Sequence, residues 1–193
     1  MVRISVVVLL ALTVLSGCSS TSAFRYYTEP TPLEPGASRY RLQSVEVDLH
    51  EGDWAPTSSE YPSESELEDE LRQRLREQLA THQVLARGDE DNEAVYDLAV
   101  SIDYTRRFKW LIGFSLTSPA LGHEVVVSRD DQKLATHRRG GYTTDYGFTG
   151  NTLRQLKTLF FLTGPEDERR DIRTLSRALA ARVAEFGKRE DDS

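Results

Sequence analysis

From Tyr96 to Tyr104 the chain alternates without a break. Tyr96, Leu98, Val100, Ile102 and Tyr104 take one parity, while Asp97, Ser101 and Asp103 take the other. A strand has a period of two, so this stretch predicts a strand with one apolar and one solvated side. A sheet built on it needs its apolar side covered, and two segments have the form to do so. Ser63-Glu64-Ser65-Glu66 reads as a capping box, in which the serine hydroxyl and the Glu66 carboxylate satisfy free amides at a helix start. Leu67, Leu71, Leu75 and Leu79 follow as one apolar stripe, with Glu68/Arg72 and Glu70/Arg74 spaced as ion pairs on the charged side. Gly164 and Pro165 open a second helix, with Glu166, Asp167 and Glu168 in its first turn. Its stripe is Ile172, Leu175, Leu179, Val183 and Phe186, and Gly187 is placed to end it.

The other elements are shorter. Tyr40 to His50 predicts a strand whose apolar parity shifts between Leu42 and Val45, which implies either a bulge near Gln43-Ser44 or a later strand start. Val84 to Ala86 reads as a short strand. Val125 to Val127 and Leu134 to His137 flank Arg129-Asp130-Asp131-Gln132 as a hairpin, and Gly140-Gly141 permits a bend before Tyr142 to Tyr146. Asn151 suits the cap of a short helix carrying Leu153, Leu156 and Leu159. Glu51 to Pro62 and Gly88 to Glu93 read as loops. Together these predict an α+β fold: a mixed, mostly antiparallel sheet with two main helices on one face. Residues 39–187 form the expected single domain, followed by a charged tail at 188–193.

The amino terminus has a different character. Met1-Val2-Arg3 precedes a 12-residue apolar run, Ile4 to Leu15, broken only by Ser5 and Thr13. A spanning helix needs roughly 20 apolar residues to cross about 30 Å of hydrocarbon, so this run has instead the size and flanks of a signal-peptide core. Leu15-Ser16-Gly17-Cys18, which holds the only cysteine of the chain, resembles the lipobox of bacterial lipoproteins. The resemblance implies that residues 1–17 are removed and that Cys18 is acylated, palmitate-type chains included. Two or more acyl chains hold a protein stably at about 0.8 kcal/mol per buried methylene. Ser19 follows Cys18, where the inner-membrane retention signal of such lipoproteins has Asp. By that resemblance the destination is the periplasmic face of the outer membrane of a Gram-negative cell. Beyond the covalent lipid on Cys18, no cofactor is expected.

Residues 18–38 form the expected acylated cysteine and flexible tether, rich in Ser, Thr and Pro and interrupted by Phe24, Tyr26 and Tyr27. Fully extended, such a tether would reach roughly 60–70 Å. The chain carries a formal charge of −7, and loss of residues 1–17 removes Arg3 and no acid. An acidic body of this kind argues against nucleic acid as a partner, since nonspecific binding needs a net basic surface. With no second thiol, the mature chain has no internal disulfide to form.

The order of elements also resembles the periplasmic lipoprotein domains of the LpoB type, which activate peptidoglycan synthases, and the related amino-terminal domain of TolB. The residues that carry this likeness are the Asp97–Tyr104 strand, the Val125–Ala135 hairpin with its Asp130-Asp131 turn, and the Gly164–Gly187 helix. The stretch between Tyr104 and His123 and the Asn151 helix depart from the simplest version of that layout.

Catalytic patterns are sparse. His50, His82, His123 and His137 lack a paired ligand spacing and read as surface or strand-end residues, so no metal site is expected. Ser115 lies in no nucleophile elbow, and Gly147-Phe148-Thr149-Gly150 is too sparse for a phosphate cradle. The carboxylates sit in helical charge pairs, first turns and acidic loops, with no pair set in apolar surroundings. Arg106-Arg107-Phe108-Lys109-Trp110 is the segment suited to contact, because cations beside aromatics fit anionic headgroups or an acidic partner. Its alternative is a second buried strand, since Phe108, Trp110, Ile112, Phe114 and Leu116 share a parity. Trp54 is either a loop anchor or part of the core edge. The function expected is that of a noncatalytic envelope accessory factor, not an enzyme. The bilayer would be reached through Cys18, and an envelope protein or glycan machine would be the partner. The alternative is a small periplasmic ligand-binding protein or hydrolase, with a concave site bringing His123 or His137 near carboxylates. Oligomeric state is left open.

Overall fold

The computed structural model describes residues 23–52, 60–87, 95–110, 114–144 and 163–188. The lipobox with Cys18, Trp54, the acidic Gly88–Glu93 turn, the Gly147–Gly150 stretch and the Asn151 helix lie outside the described residues.

The fold is α+β. A five-stranded sheet is built from β1 (Ala23–Tyr26), β2 (Arg39–Glu51), β3 (Val95–Arg106), β6 (Ala120–Arg129) and β7 (Gln132–Tyr142), in the spatial order β1-β7-β6-β3-β2. Two short strands, β4 (Phe108–Trp110) and β5 (Phe114–Leu116), pair separately. Helices α1 (Glu64–Thr81) and α2 (Pro165–Ala184) pack against each other and over one face of the sheet. Among the described strands of this sheet β2 and β3 are the pair that runs parallel, and α1 supplies the crossover that a parallel pair requires.

The alternating segment lies in the middle of this sheet. Tyr96, Leu98, Val100, Ile102 and Tyr104 are buried beneath the helices, the last four in register with Val127, Val125, His123 and Leu121 of β6. In β2 the register moves from Leu42↔Leu98 to Ser44↔Ala99, so Gln43 is the extra residue and Val45 and Val47 still face inward. The Asp130-Asp131 turn takes φ of 50° and 61°, the left-handed pair that a two-residue hairpin loop needs. Strand β7 runs on through Gly140 and Gly141 to Tyr142, with Gly141 at φ 66°.

The helices follow their sequence signals. The Ser63 amide donates to Glu66 Oε2 at 2.8 Å and the Glu66 amide donates to Ser63 Oγ at 3.4 Å. Leu67, Leu71, Leu75 and Leu79 are all 0% exposed. Helix α2 buries Ile172, Leu175, Leu179 and Val183, and Phe186 and Gly187 close it. Gly187 sits at φ 96°, and a Cβ there would lie 2.2 Å from the Leu33 carbonyl oxygen, so both its conformation and its space require glycine. No described helix is long and apolar enough to cross a membrane.

The free edge of β2 is closed by side chains and by a short bridge. Tyr40 pairs with the Val84–Ala86 segment, the Val45 carbonyl accepts from Arg72 Nη2 at 3.1 Å, and the Leu49 amide donates to Glu64 Oε2 at 3.0 Å. Charged groups placed this way discourage further strand addition.

One expectation is corrected here. The flexible tether does not extend to Ser38, because residues from Ala23 onward belong to the fold. Strand β1 pairs antiparallel with β7. Phe24 packs on Phe186 and His137, at ring-centroid distances of 5.1 and 4.8 Å. The Tyr26 hydroxyl accepts from the Gly187 amide at 2.9 Å, Leu33 is buried, and the Pro32 carbonyl accepts from Tyr96. The physical reason is a period of two inside a polar stretch: Phe24 and Tyr26 turn inward while Arg25 and Tyr27 turn outward.

Candidate functional site

The strand period decides the fate of the Arg106–Trp110 segment. Arg106 continues the inward parity of Tyr104, so its guanidinium is buried beneath α2. Nε donates to Glu168 Oε1 at 2.9 Å and Nη2 to Glu168 Oε2 at 3.1 Å, in a two-pronged pair. Nη1 donates to Glu51 at 3.0 Å, Nη2 also donates to the Pro62 carbonyl at 2.6 Å, and the Tyr61 ring lies 5.4 Å from the guanidinium carbon. Arg106 is therefore a structural cation, which corrects its expected place in a contact surface. Phe108 is also inward, edge-on to Tyr61 at 5.2 Å. Arg107 and Lys109 are exposed on the opposite parity. Of Trp110 only the backbone position is described, paired with Phe114 in the two-stranded ribbon.

The histidines also separate. His50 is exposed beside Asp48, and His82 is exposed as the C-cap of α1, as expected. His123 and His137 are buried, contrary to their reading as surface or strand-end residues. His123 shares the inward parity of Leu121, Val125 and Val127, and His137 that of Ala135, so strand periodicity carried the signal. The two rings stack at 5.1 Å, and His123 Nε2 shares a hydrogen bond with His137 Nδ1 at 3.0 Å. His123 Nδ1 shares another with the Tyr142 hydroxyl at 2.5 Å. Burial, then the His137 ring, Arg139 and Arg182, push His123 down to about 3. Burial and the same two arginines lower His137, with Glu185 opposing. Both rings are thus neutral at ordinary pH, one donating and one accepting across their shared bond. The pair is brought to the Tyr142 hydroxyl, with Arg139, Arg182 and Glu185 close enough to act on the rings electrostatically.

Asp171 is a further buried group that sequence reading missed. Thr144 Oγ1 donates to its Oδ1 at 2.8 Å, and burial pushes the carboxyl up to about 8 despite that bond. Its position in the α2 stripe, one residue before Ile172, was the available signal. Ser115 is likewise engaged in packing: its hydroxyl meets Thr163 Oγ1 at 2.6 Å, and Thr163 donates to the Leu116 carbonyl. Among the described residues, no three His, Cys, Asp or Glu side chains are grouped to hold a metal ion. A cleft of about 320 Å³ lies at the end of α1, lined by Arg39, Ala80, Gln83, Leu85 and Arg87, away from both buried histidines. Nη1 of Arg39 is taken up by the carbonyls of Gly36, Ala37 and Ser38.

No protein-family profile matches this chain, and no curated protein sequence does. Solved structures give weak likenesses. A PelC dodecamer from Paraburkholderia phytofirmans is 13% identical, at a TM-score of 0.32, over 74% of this chain and 99% of its own. A second PelC dodecamer from the same organism, differing from the first by a point substitution and in crystal form, gives 14% identity and a TM-score of 0.31, over 75% of this chain and 99% of its own. A neuraminyllactose-binding hemagglutinin homolog from Helicobacter pylori is 9% identical at a TM-score of 0.35, covering 86% of this chain and 92% of its own. Likeness at this level carries no argument about what the chain does.

Proposed function

We propose that this chain is an outer-membrane lipoprotein of the periplasmic face, acylated on Cys18, whose folded domain is a noncatalytic accessory factor for an envelope protein or glycan machine. The observation that carries the reading is the placement of Leu15-Ser16-Gly17-Cys18 only four residues ahead of β1. A lipid on Cys18 would hold the sheet itself at the membrane, not a body swinging on a long linker. The buried polar groups support the noncatalytic half. Arg106 with Glu168, His123 with His137 and Tyr142, and Thr144 with Asp171 are spent on one another inside the fold.

The partner contact falls to Arg107 and Lys109, the exposed cations of the segment that follows β3. Arg107→Gln with Lys109→Gln leaves the melting temperature in place and weakens crosslinking to the native partner in a salt-sensitive way. Unchanged crosslinking would remove this segment from the interface. The anchor is tested by fractionation: Cys18→Ser leaves the outer membrane, whereas a variant that still fractionates there contradicts the reading.

A further inference from the structure

On the sheet face turned away from the helices, acidic groups gather toward one edge and cations toward the other, with Glu124 of β6 set against the cations in register with Arg138. The β2–β3 side exposes Glu46, Asp48, Ser101 and Asp103, and Arg41 there pairs with Asp97 at 3.6 Å. The β1–β7 side exposes Arg25, Arg138 and Lys133 around Tyr27. Register places them together, since Ala23 is opposite Arg138 and Arg25 opposite Thr136. The Arg25 guanidinium carbon lies 5.2 Å from the Tyr27 ring centroid and Lys133 Nζ lies 5.7 Å from it. Tyr27 is 44% exposed and is the one exposed large hydrophobic side chain among the described residues. Its hydroxyl meets Thr136 Oγ1 at 3.5 Å. Neither Arg25 nor Arg138 forms an ion pair among the described residues, and Lys133 meets Glu124 only loosely, at 3.9 Å, with both partly exposed. In a chain of formal charge −7, an exposed tyrosine clasped by cations is out of keeping with its surroundings.

We infer that this Arg25–Tyr27–Lys133–Arg138 face lies on an anionic lipid surface and sets the orientation of the domain on its membrane. The inference rests on acylation of Cys18. Ser19 to Ser22 are the only residues between that cysteine and Ala23, so β1 starts within about 18 Å of the anchored residue. Arginine and lysine then meet headgroup phosphates, while tyrosine takes the interfacial depth that its ring and hydroxyl suit. Each such cation strengthens association about fivefold, so three of them suffice to orient a body that the lipid already holds. The acidic β2–β3 edge is repelled by the same surface and faces away.

The test uses the full lipidated protein in vesicles of phosphatidylcholine with or without phosphatidylglycerol. A fluorophore on Ser128→Cys, on the same sheet face beside Lys133, reports energy transfer to a headgroup dye. Transfer rises about threefold in the anionic vesicles, returns to the neutral value in ~0.5 M NaCl, and does not rise in Arg25→Gln/Lys133→Gln/Arg138→Gln. Equal transfer in both vesicles, or a triple variant that behaves like the parent, overturns the inference and gives the face to a protein partner. Sedimentation of the same samples reads the anchor separately. A parent chain that fails to pellet with neutral vesicles refutes acylation, and the cationic face then still predicts salt-sensitive pelleting with the anionic ones. Absence of that pelleting overturns the face as well.

Discussion

Arg106 and Glu168 meet through two parallel hydrogen bonds, 2.9 and 3.1 Å long, that join the last residue of β3 to the first turn of α2. Glu168 is 0% exposed, so its charge sits out of water against this guanidinium. Removing one partner of such a pair leaves an uncompensated buried charge, which costs about 3–5 kcal/mol. Arg106→Gln is therefore expected to lose that much in urea unfolding. Arg107→Gln, one residue on and exposed, should stay within about 0.5 kcal/mol. Arg106→Met with Glu168→Leu should recover most of the loss, because apolar replacements of a buried pair remove the desolvation cost together with the attraction.

The buried histidine pair makes the fold acid-sensitive. His123 and His137 protonate in the unfolded chain near the ordinary 6.5, but in the folded chain His123 does so only at about 3 and His137 below its usual value. The unfolded state thus binds more protons between these limits, and stability falls as pH drops from about 7 toward 3. The slope is at most about 1.4 kcal/mol per pH unit for each ring. Phe24 of β1 packs against His137 at a ring-centroid distance of 4.8 Å, so exchange protection of residues 23–26 should be lost early in the acid titration. His123→Gln should flatten the acid limb of a plot of melting temperature against pH. An unchanged limb would place the acid sensitivity elsewhere.

Asp171 acts in the opposite sense. Its carboxyl stays protonated in the folded chain up to about 8, whereas in the unfolded chain it ionises near 3.8. The folded state binds the extra proton in that window, so this group costs stability as pH rises from about 4 to 8. Asp171→Asn keeps a neutral partner for Thr144 at every pH. It should match the parent near pH 4 and exceed it in melting temperature at pH 8. Equal melting at pH 8 would mean that the carboxyl is ionised in the fold.

The helices are covers for the sheet, and their leucines carry that role. Leu75→Ala and Leu179→Ala should each lose about 2–5 kcal/mol, since both side chains are at most 1% exposed. Glu68→Ala breaks a 2.6 Å ion pair with Arg72 on the partly solvated side, and should cost no more than about 1 kcal/mol. Equal losses in all three would mean that the helix faces are misplaced.

These contrasts bear on what was legible in the chain. Where one physical period ran over many residues, reading was direct: the Tyr96–Tyr104 alternation, the leucine stripe of α1, the Gln43 bulge and the Asp130-Asp131 turn are all found in place. Where a polar residue sat on an apolar parity, residue type misled. Arg106, His123, His137 and Asp171 each hold an inward position, and each is buried because a partner elsewhere in the chain neutralises or bonds it. Those partners, Glu168, Tyr142 and Thr144, are distant in sequence, so no local pattern marks them. Strand β1 was hidden for a related reason. Four residues are too few to show a period, and the Ser- and Pro-rich composition around them reads as a linker.

The most direct test of the central claim is intact-mass and peptide mass spectrometry of the protein purified from its own cell envelope. The account predicts a mature chain that begins at Cys18 and carries diacylglyceryl and amide-linked acyl groups on that residue. A chain that retains residues 1–17, or that begins at an unmodified Cys18, would contradict it.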